Sequence, residues 1–358
     1  GLAVSTGDAN TLIGTLAGDA LSDADFNVAV GMQALTSDTK GNRSVAIGLE
    51  ALATQNFVSP TNSNNTAVGA GAGQLVTTGI QNTLIGSSAG DSLSDADFNV
   101  AVGFNALGGD TLGSRSVAIG YGALLSQNFV SATDAYNTAV GFNTGMATTT
   151  GTNNTLIGGL AGEGMQTGSN NTAVGYYSLS GVCTGSYNTA VGRIAMRDIT
   201  SGTENTGLGN AALLVNTTGN NNTAVGSDSL KANISGSGNT GIGFEALQAN
   251  TQVGNTAVGY QAGLYNDTGT YNTFLGYQAG AEATYTLTGG DGVYIGAFAH
   301  ATTTNAIGAV VVGYNVAGAQ GYTTLGNAGS DIRAAHGNVT WATVSDERYK
   351  KDIVDSTV

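Results

Sequence analysis

Asn65-Thr66-Ala67-Val68-Gly69 is followed seventeen residues later by Asn82-Thr83-Leu84-Ile85-Gly86, and then by Asn99-Val100-Ala101-Val102-Gly103. Variants of this pentapeptide close on glycines from Gly14 to Gly276, and a degenerate continuation runs through Gly296, Gly313 and Gly326. A fixed short period marks a solenoid, in which each repeat is one rung stacked on the last. At about 4.8 Å per stacked strand, the repeats from Gly14 to Gly326 predict a shaft of roughly 85 Å.

The columns of the repeat predict its local structure. The residue before the closing glycine is aliphatic, as at Ile47, Val68, Ile85 and Val102, and two positions earlier stands threonine or valine. Alternation of period two with β-branched residues predicts a short strand. The residue between them is usually alanine and points to the other face, so both faces are apolar. A lone solenoid buries one face in its interior; the second calls for a partner, which a threefold axis supplies. After each glycine a small residue (Ala34, Ala72, Ala106) precedes leucine or glycine (Leu35, Gly73, Leu107), and this reads as a second strand. Glycines seven residues before the closing one, such as Gly41, Gly151 and Gly219, are expected in turns of positive φ. The asparagine that opens the pentapeptide gives way to Ser44 and Ser116 in two rungs. Asparagine tolerates αL geometry and forms stacked ladders; a row of ligand-binding amides inside a trimer is the functional alternative. The expected fold is all-β: a parallel β-roll or solenoid of about 17-residue two-strand rungs, in a homotrimer.

Composition agrees. The 358 residues include 57 glycines and one proline, 9% are charged, and 41% are hydrophobic, which excludes a disordered chain. The formal charge of −14 repels phosphate backbones, so no nucleic-acid partner is expected. Cys183, the only cysteine, excludes an intrachain disulfide. No run approaches the ~18 apolar residues of a membrane-spanning helix, so no membrane insertion is expected. No signal peptide is visible, and the early first repeat suggests a piece of a longer polypeptide.

A larger period lies above the first. Residues 19–35 return almost verbatim at 91–107, an offset of 72. Each copy holds a twenty-one-residue rung, ending at Gly69 or Gly141, whose insertion carries Gln55-Asn56-Phe57 or Gln127-Asn128-Phe129. Loops on a rigid scaffold collect binding function, and an aromatic beside Gln and Asn suits stacking on a sugar. These six residues, with Tyr285 in a third irregularity, are the receptor-binding candidates; alternatively Phe57 and Phe129 tuck back and cap the widened rung. The acid pairs Asp23/Asp25 and Asp95/Asp97 read as solvated turn residues rather than metal or catalytic carboxylates. Glu163, Glu245 and Glu282 sit on separate rungs, against a polysaccharide-cleaving pair. His300 and His336 offer one imidazole each, so no metal and no cofactor is expected. A threonine column suggests ice binding, but it shares a face with the aliphatic column and is expected to be mostly buried.

The pentapeptide with its following small residue and leucine resembles the head repeats of trimeric autotransporter adhesins, also found in tail fibres of bacteriophages. That resemblance, over residues 10–326, implies a left-handed parallel β-roll, intertwined or side by side in a tight trimer. Ser345-Asp346-Glu347-Arg348-Tyr349-Lys350 and Ile353 are similar to the opening of the intramolecular chaperone of endosialidase-type phage tailspikes and fibres. By that resemblance Ser345 is the nucleophile of a self-cleavage and Lys350 a base with a pKa lowered by burial; with fourteen residues of the domain present, its active centre is incomplete. The organisation implied is a shaft over 1–328, a transition over 329–344, and the start of the chaperone over 345–358. The expected function is a non-enzymatic, receptor-binding fibre shaft of a phage tail, extracellular on the virion. Its partners would be its own copies, other virion tail proteins, and a host cell-surface glycan or protein. The alternative is a trimeric adhesin head on a bacterial surface.

Overall fold

The computed structural model describes residues 5–281, 287–328, 330–337 and 342–343. The chain divides into two compact units, Gly1–Ile194 with Ile199–Ser201, and Ala195–Asp198 with Gly202–Val358. Each unit is a β-solenoid, and no helix occurs among the described residues. In the first unit the strands run from Thr11–Ile13 to Thr189–Val191, and in the second from Thr206–Leu208 to Tyr322–Asn327. Within each unit successive strands pair in parallel with the repeat columns in register: Thr66 lies beside Thr83, Ala67 beside Leu84 and Val68 beside Ile85. In the second unit the parallel stack ends when Ser330–Ala335 pairs antiparallel with Tyr322–Asn327. That hairpin straddles residue 328, the expected end of the shaft.

The two-strand rung is corrected: most rungs hold one strand of three residues. The segment after each glycine is a chain of turns in which alternate residues take left-handed backbone, as Gln33 (φ 58) and Leu35 (φ 51) do. Extended backbone would send neighbouring side chains to opposite faces. The αL residues instead turn both Ala34 and Leu35 into the core, where each is fully buried. Among the described residues second pairings are few and short, such as Gly41–Asn42 with Thr61–Asn62 and Gly113–Ser114 with Thr133–Asp134, both beside insertions.

The strand's middle column faces inward: Ala67, Leu84, Ala101 and Ala118 are fully buried. Its flanking columns face out and are half-buried or exposed, which corrects the expectation that the threonine column is mostly buried. A further core column, seven residues after most closing glycines, went unread in the sequence; after Gly175 it shifts by one, so that Cys183 is buried and Val182 exposed. It holds Leu21, Val76, Leu93 and Met165, but also Asp38, Gln55, Asp110 and Gln127.

Interior volume is exchanged between columns. The fourth residue after the closing glycine takes αL backbone whether it is leucine or glycine. Around Leu84, Leu156 and Phe274, the large strand centres flanked by a rung on each side before Gly276, that position is glycine on both sides. A Cβ on Gly73 or Gly90 would stand 2.7 or 2.8 Å from the Leu84 side chain. The same holds for Leu156 between Gly145 and Gly162. In the second unit Phe274 lies between Gly263 and Gly280 and stacks on buried Tyr294, centroids 5.2 Å apart. Burial pushes the Tyr294 phenol up to about 12. The glycines seven residues before the closing one are corrected too. Gly151 and Gly219 lack positive φ; a Cβ there would run into the carbonyl of Gly168 or Gly236 on the next rung. Close rung approach, not turn geometry, requires glycine.

Leu84→Ala should cost the first unit about 2–5 kcal/mol by chemical denaturation, because close-packed rungs cannot fill the void. Adding Gly90→Leu returns side-chain volume to the vacated space, as Leu107 does beside Ala101, and should recover part of that loss in a double-mutant cycle, with Leu93 still bordering the site. Strict additivity of the two changes would contradict the volume exchange.

Candidate functional site

The asparagine column is a buried ladder. The Asn82 side chain donates from Nδ2 to the Ala96 carbonyl at 2.7 Å, and its Oδ1 accepts the backbone N–H of Asn99 at 2.9 Å. Asn65, Asn99, Asn154 and Asn171 each donate to a carbonyl fourteen residues on, and the second unit repeats the arrangement at Asn205, Asn222 and Asn255. Asparagine itself is not in αL conformation, as had been expected; the residue before it is, as at Phe26 and Gln81. A column of amides spent on backbone groups leaves no row facing a ligand.

The two serine exceptions now have a cause. Fourteen residues after Ser44 the chain has left the rung, since Val58 lies at the tip of the insertion and is 85% exposed. The carbonyl that an asparagine would meet is gone, and Gln55 supplies an amide instead. Its Nε2 donates to Ser44 Oγ at 3.0 Å and to Asp38 Oδ2 at 2.6 Å, while its Oε1 accepts from Asn65 Nδ2 at 2.9 Å. Asp38 Oδ1 accepts the N–H groups of Gly41 and Phe57. The second copy repeats the set: Gln127 donates to Asp110 and Ser116, and Asn137 donates to Gln127. Asp38 and Asp110 are fully buried carboxylates without a cation partner in the set, held by three N–H donors each. Sequence reasoning missed them; their place in the core column was the available signal.

The six candidates on the insertions therefore divide. Gln55, Gln127, Phe57 and Phe129 are buried and hold the widened rung. Phe57 lies over Gly41, where a Cβ would stand 2.8 Å from its ring. Asn56 and Asn128 are exposed, and each accepts a threonine hydroxyl, from Thr39 and Thr111, at 3.0 Å. What the loops present outward is Val58-Ser59-Pro60 and Val130-Ser131-Ala132, with Val130 92% exposed. Four rungs separate the tips, roughly 19 Å along the stack. Tyr285, Ser345 and Lys350 lie outside the described residues.

The acid pairs tie loops between rungs. Asp25 Oδ1 accepts the Asp8 N–H and Asp97 Oδ1 the Ile80 N–H, both at 2.7 Å. Thr6 and Thr78 donate hydroxyls to Asp23 and Asp95. His300 Nδ1 lies 2.9 Å from the Phe298 carbonyl, and His336 Nε2 lies 3.3 Å from Thr323 Oγ1. Among the described residues no group of three or more His, Cys, Asp or Glu side chains could hold a metal, and no helix is long and apolar enough to cross a membrane. Cys183 is buried in the core, and desolvation pushes its thiol up to about 11.

Among the described residues the outward face of the strands leaves apolar side chains uncovered. In the first unit its columns carry Ile47, Ile85, Ile119 and Ile157 before the closing glycine, all exposed. Beside them, one residue past that glycine, Phe104, Tyr121 and Phe142 stack at 5.4 and 5.3 Å. In the second unit Phe244, Tyr260 and Tyr277 do the same at 5.3 and 5.1 Å. Across the three outward columns of the first unit the only charged residue is Arg193. Monomers seldom leave a contiguous apolar patch of more than a few hundred Å² uncovered. Comparison with protein-family models, curated proteins and solved structures finds no match to this chain.

Gln55→Ala should cost about 1–3 kcal/mol in urea denaturation, because it strips partners from buried Asp38 and Asn65. Val58→Ser at the exposed tip should stay within about 0.5 kcal/mol; equal losses would contradict the division into anchor and tip. Cys183 should resist alkylation at pH 8 until the chain unfolds. Its raised folded pKa adds stability that is complete below the ordinary thiol value of 9.0 and is lost as pH rises to about 11. Rapid labelling of the folded chain would contradict this burial.

Proposed function

We propose that this chain is a non-catalytic structural and attachment shaft, a phage tail fibre in which three copies pack through their outward strand faces. One observation carries the reading. A chain of net charge −14 keeps its outward strand columns almost free of charge and exposes aliphatic and aromatic side chains beside the threonines there. Like chains meet there without repulsion and remove that surface from water. The repeated insertion tips at Val58 and Val130 then stand on a rigid scaffold as the recognition elements for a host cell-surface glycan or protein. On the virion the other partners are tail proteins, and the location is extracellular. By the resemblance of the final segment, Ser345 with Lys350 would release a C-terminal chaperone after trimerisation. A trimeric adhesin head on a bacterial surface uses the same face in the same way, and is the alternative.

Light scattering on the purified chain should give three times its 35.5 kDa mass at micromolar concentration. A persistent monomer would overturn the reading, and would return attention to the outward threonine ladder and its fit to ice, which thermal hysteresis measures. Replacing both insertion tips with glycine-serine should abolish cell-surface binding while leaving the mass unchanged.

A further inference from the structure

The outward face of the first unit carries two periods at once. Five successive strand triplets, from Thr11-Leu12-Ile13 to Thr83-Leu84-Ile85, repeat four rungs on without change, whereas Val100-Ala101-Val102 and Val117-Ala118-Ile119 give way to threonine triplets at 172–174 and 189–191. Thr11-Leu12-Ile13, Val28-Ala29-Val30, Val45-Ala46-Ile47 and Thr66-Ala67-Val68 return at residues 83–85, 100–102, 117–119 and 138–140. The column one residue past the closing glycine does not repeat in this way. Its small members, Thr15, Ser87 and Gly159, stand seventy-two residues apart. Between the first two are Met32, Leu49 and Ala70; between the second two are Phe104, Tyr121 and Phe142.

Two like chains packed along this face meet a register problem. A slip of one to three rungs sets nearly all triplets against unlike ones, but a four-rung slip leaves five of the seven facing pairs in this unit identical. Near-identical repeats slip unless something marks the position. The aromatic triple is the mark available. Its rings lie nearly parallel, with interplanar angles of 18° and 16°, so the faces between neighbouring rings, both faces of Tyr121 among them, cover one another. Tyr121 is 52% exposed. Closed ring faces suit a sugar poorly and suit edge packing against protein. The absence of charge from these columns, Arg193 apart, favours a copy of the same acidic chain over a basic partner.

We infer that the stacked triple Phe104–Tyr121–Phe142 is a register key read by a second copy of this chain. In register, each triple meets its counterpart; slipped by four rungs, it faces Met32, Leu49 and Ala70, which leave a gap and uncovered rings. This rests on the proposed packing of like chains through the outward face.

The test is dipolar spectroscopy on Ser87→Cys carrying a nitroxide, with unsubstituted chain as the control for buried Cys183. The parent should give one interchain distance. Phe104→Met, Tyr121→Leu and Phe142→Ala together give the second copy the side chains of the first, and a longer second distance should appear, from labels offset by about 19 Å along the stack. The reciprocal variant, Met32→Phe, Leu49→Tyr and Ala70→Phe, should slip likewise, and circular dichroism confirms that each variant folds. A second distance already in the parent, or one distance in both folded variants, would overturn the key alone. No interchain coupling in the parent would overturn the trimer, and the key with it.

Discussion

The buried asparagine of each rung is the constraint on which the rest of the structure depends. A strand of three residues has few ladder bonds of its own, and the turns around it carry many backbone groups away from water. The asparagine amide meets both needs: Nδ2 satisfies a carbonyl fourteen residues on, and Oδ1 receives the N–H of the next asparagine. An unmade bond at a buried group costs about 1–3 kcal/mol, so each rung is fixed to its neighbour by side chain as well as strand. Stability of this kind passes from neighbour to neighbour, as in other solenoids. Even the exceptions obey it. Where an insertion removes the expected carbonyl, a glutamine eleven residues after the serine enters the core instead, donating to the serine and a buried aspartate and accepting the side-chain amide of the next asparagine.

Once the rungs are held this closely, glycine and volume follow. The closing glycines keep φ near +135, as at Gly48 (φ 136), and a Cβ at Gly86 would stand 2.5 Å from the Gly103 carbonyl. Inside, a large strand residue excludes a side chain at the αL position on either side, which is why leucine and glycine alternate there. The columns made the solenoid, its period and its strand triplet legible, because each depends on residue type at fixed spacing. They did not reveal the turns after the glycine. Ala34 and Leu35 look like strand residues until the backbone at Leu35 is seen to be left-handed, a conformation that propensity disfavours for leucine. Local preference lost to the demand that both side chains enter one core.

The site was legible in outline only. The twenty-one-residue rungs were visible as breaks, and the structure puts exposed loops there. Of the two readings of the insertions, burial agrees with the one in which Phe57 tucks back over the rung: Phe57 and Gln55 look like ligand contacts in a list of residues, yet they anchor the loop from below. Nothing in a single sequence distinguishes a glutamine facing a sugar from one facing Asp38. The apolar outward face was inferable, because two apolar sides on one strand exceed what one interior can bury. The aromatic stacks beside it were not, since their column begins with Thr15, Met32 and Leu49.

These elements give one account: a backbone ladder builds each unit, and its leftover apolar face is the surface through which like chains are proposed to join. An electron cryomicroscopy cross-section of the assembled protein tests that most directly. The account predicts three chains around one axis, with the Ile47 and Ile85 column and the aromatic stacks turned inward between them. A single chain in cross-section, or an assembly that leaves those columns on its outer surface, would contradict it.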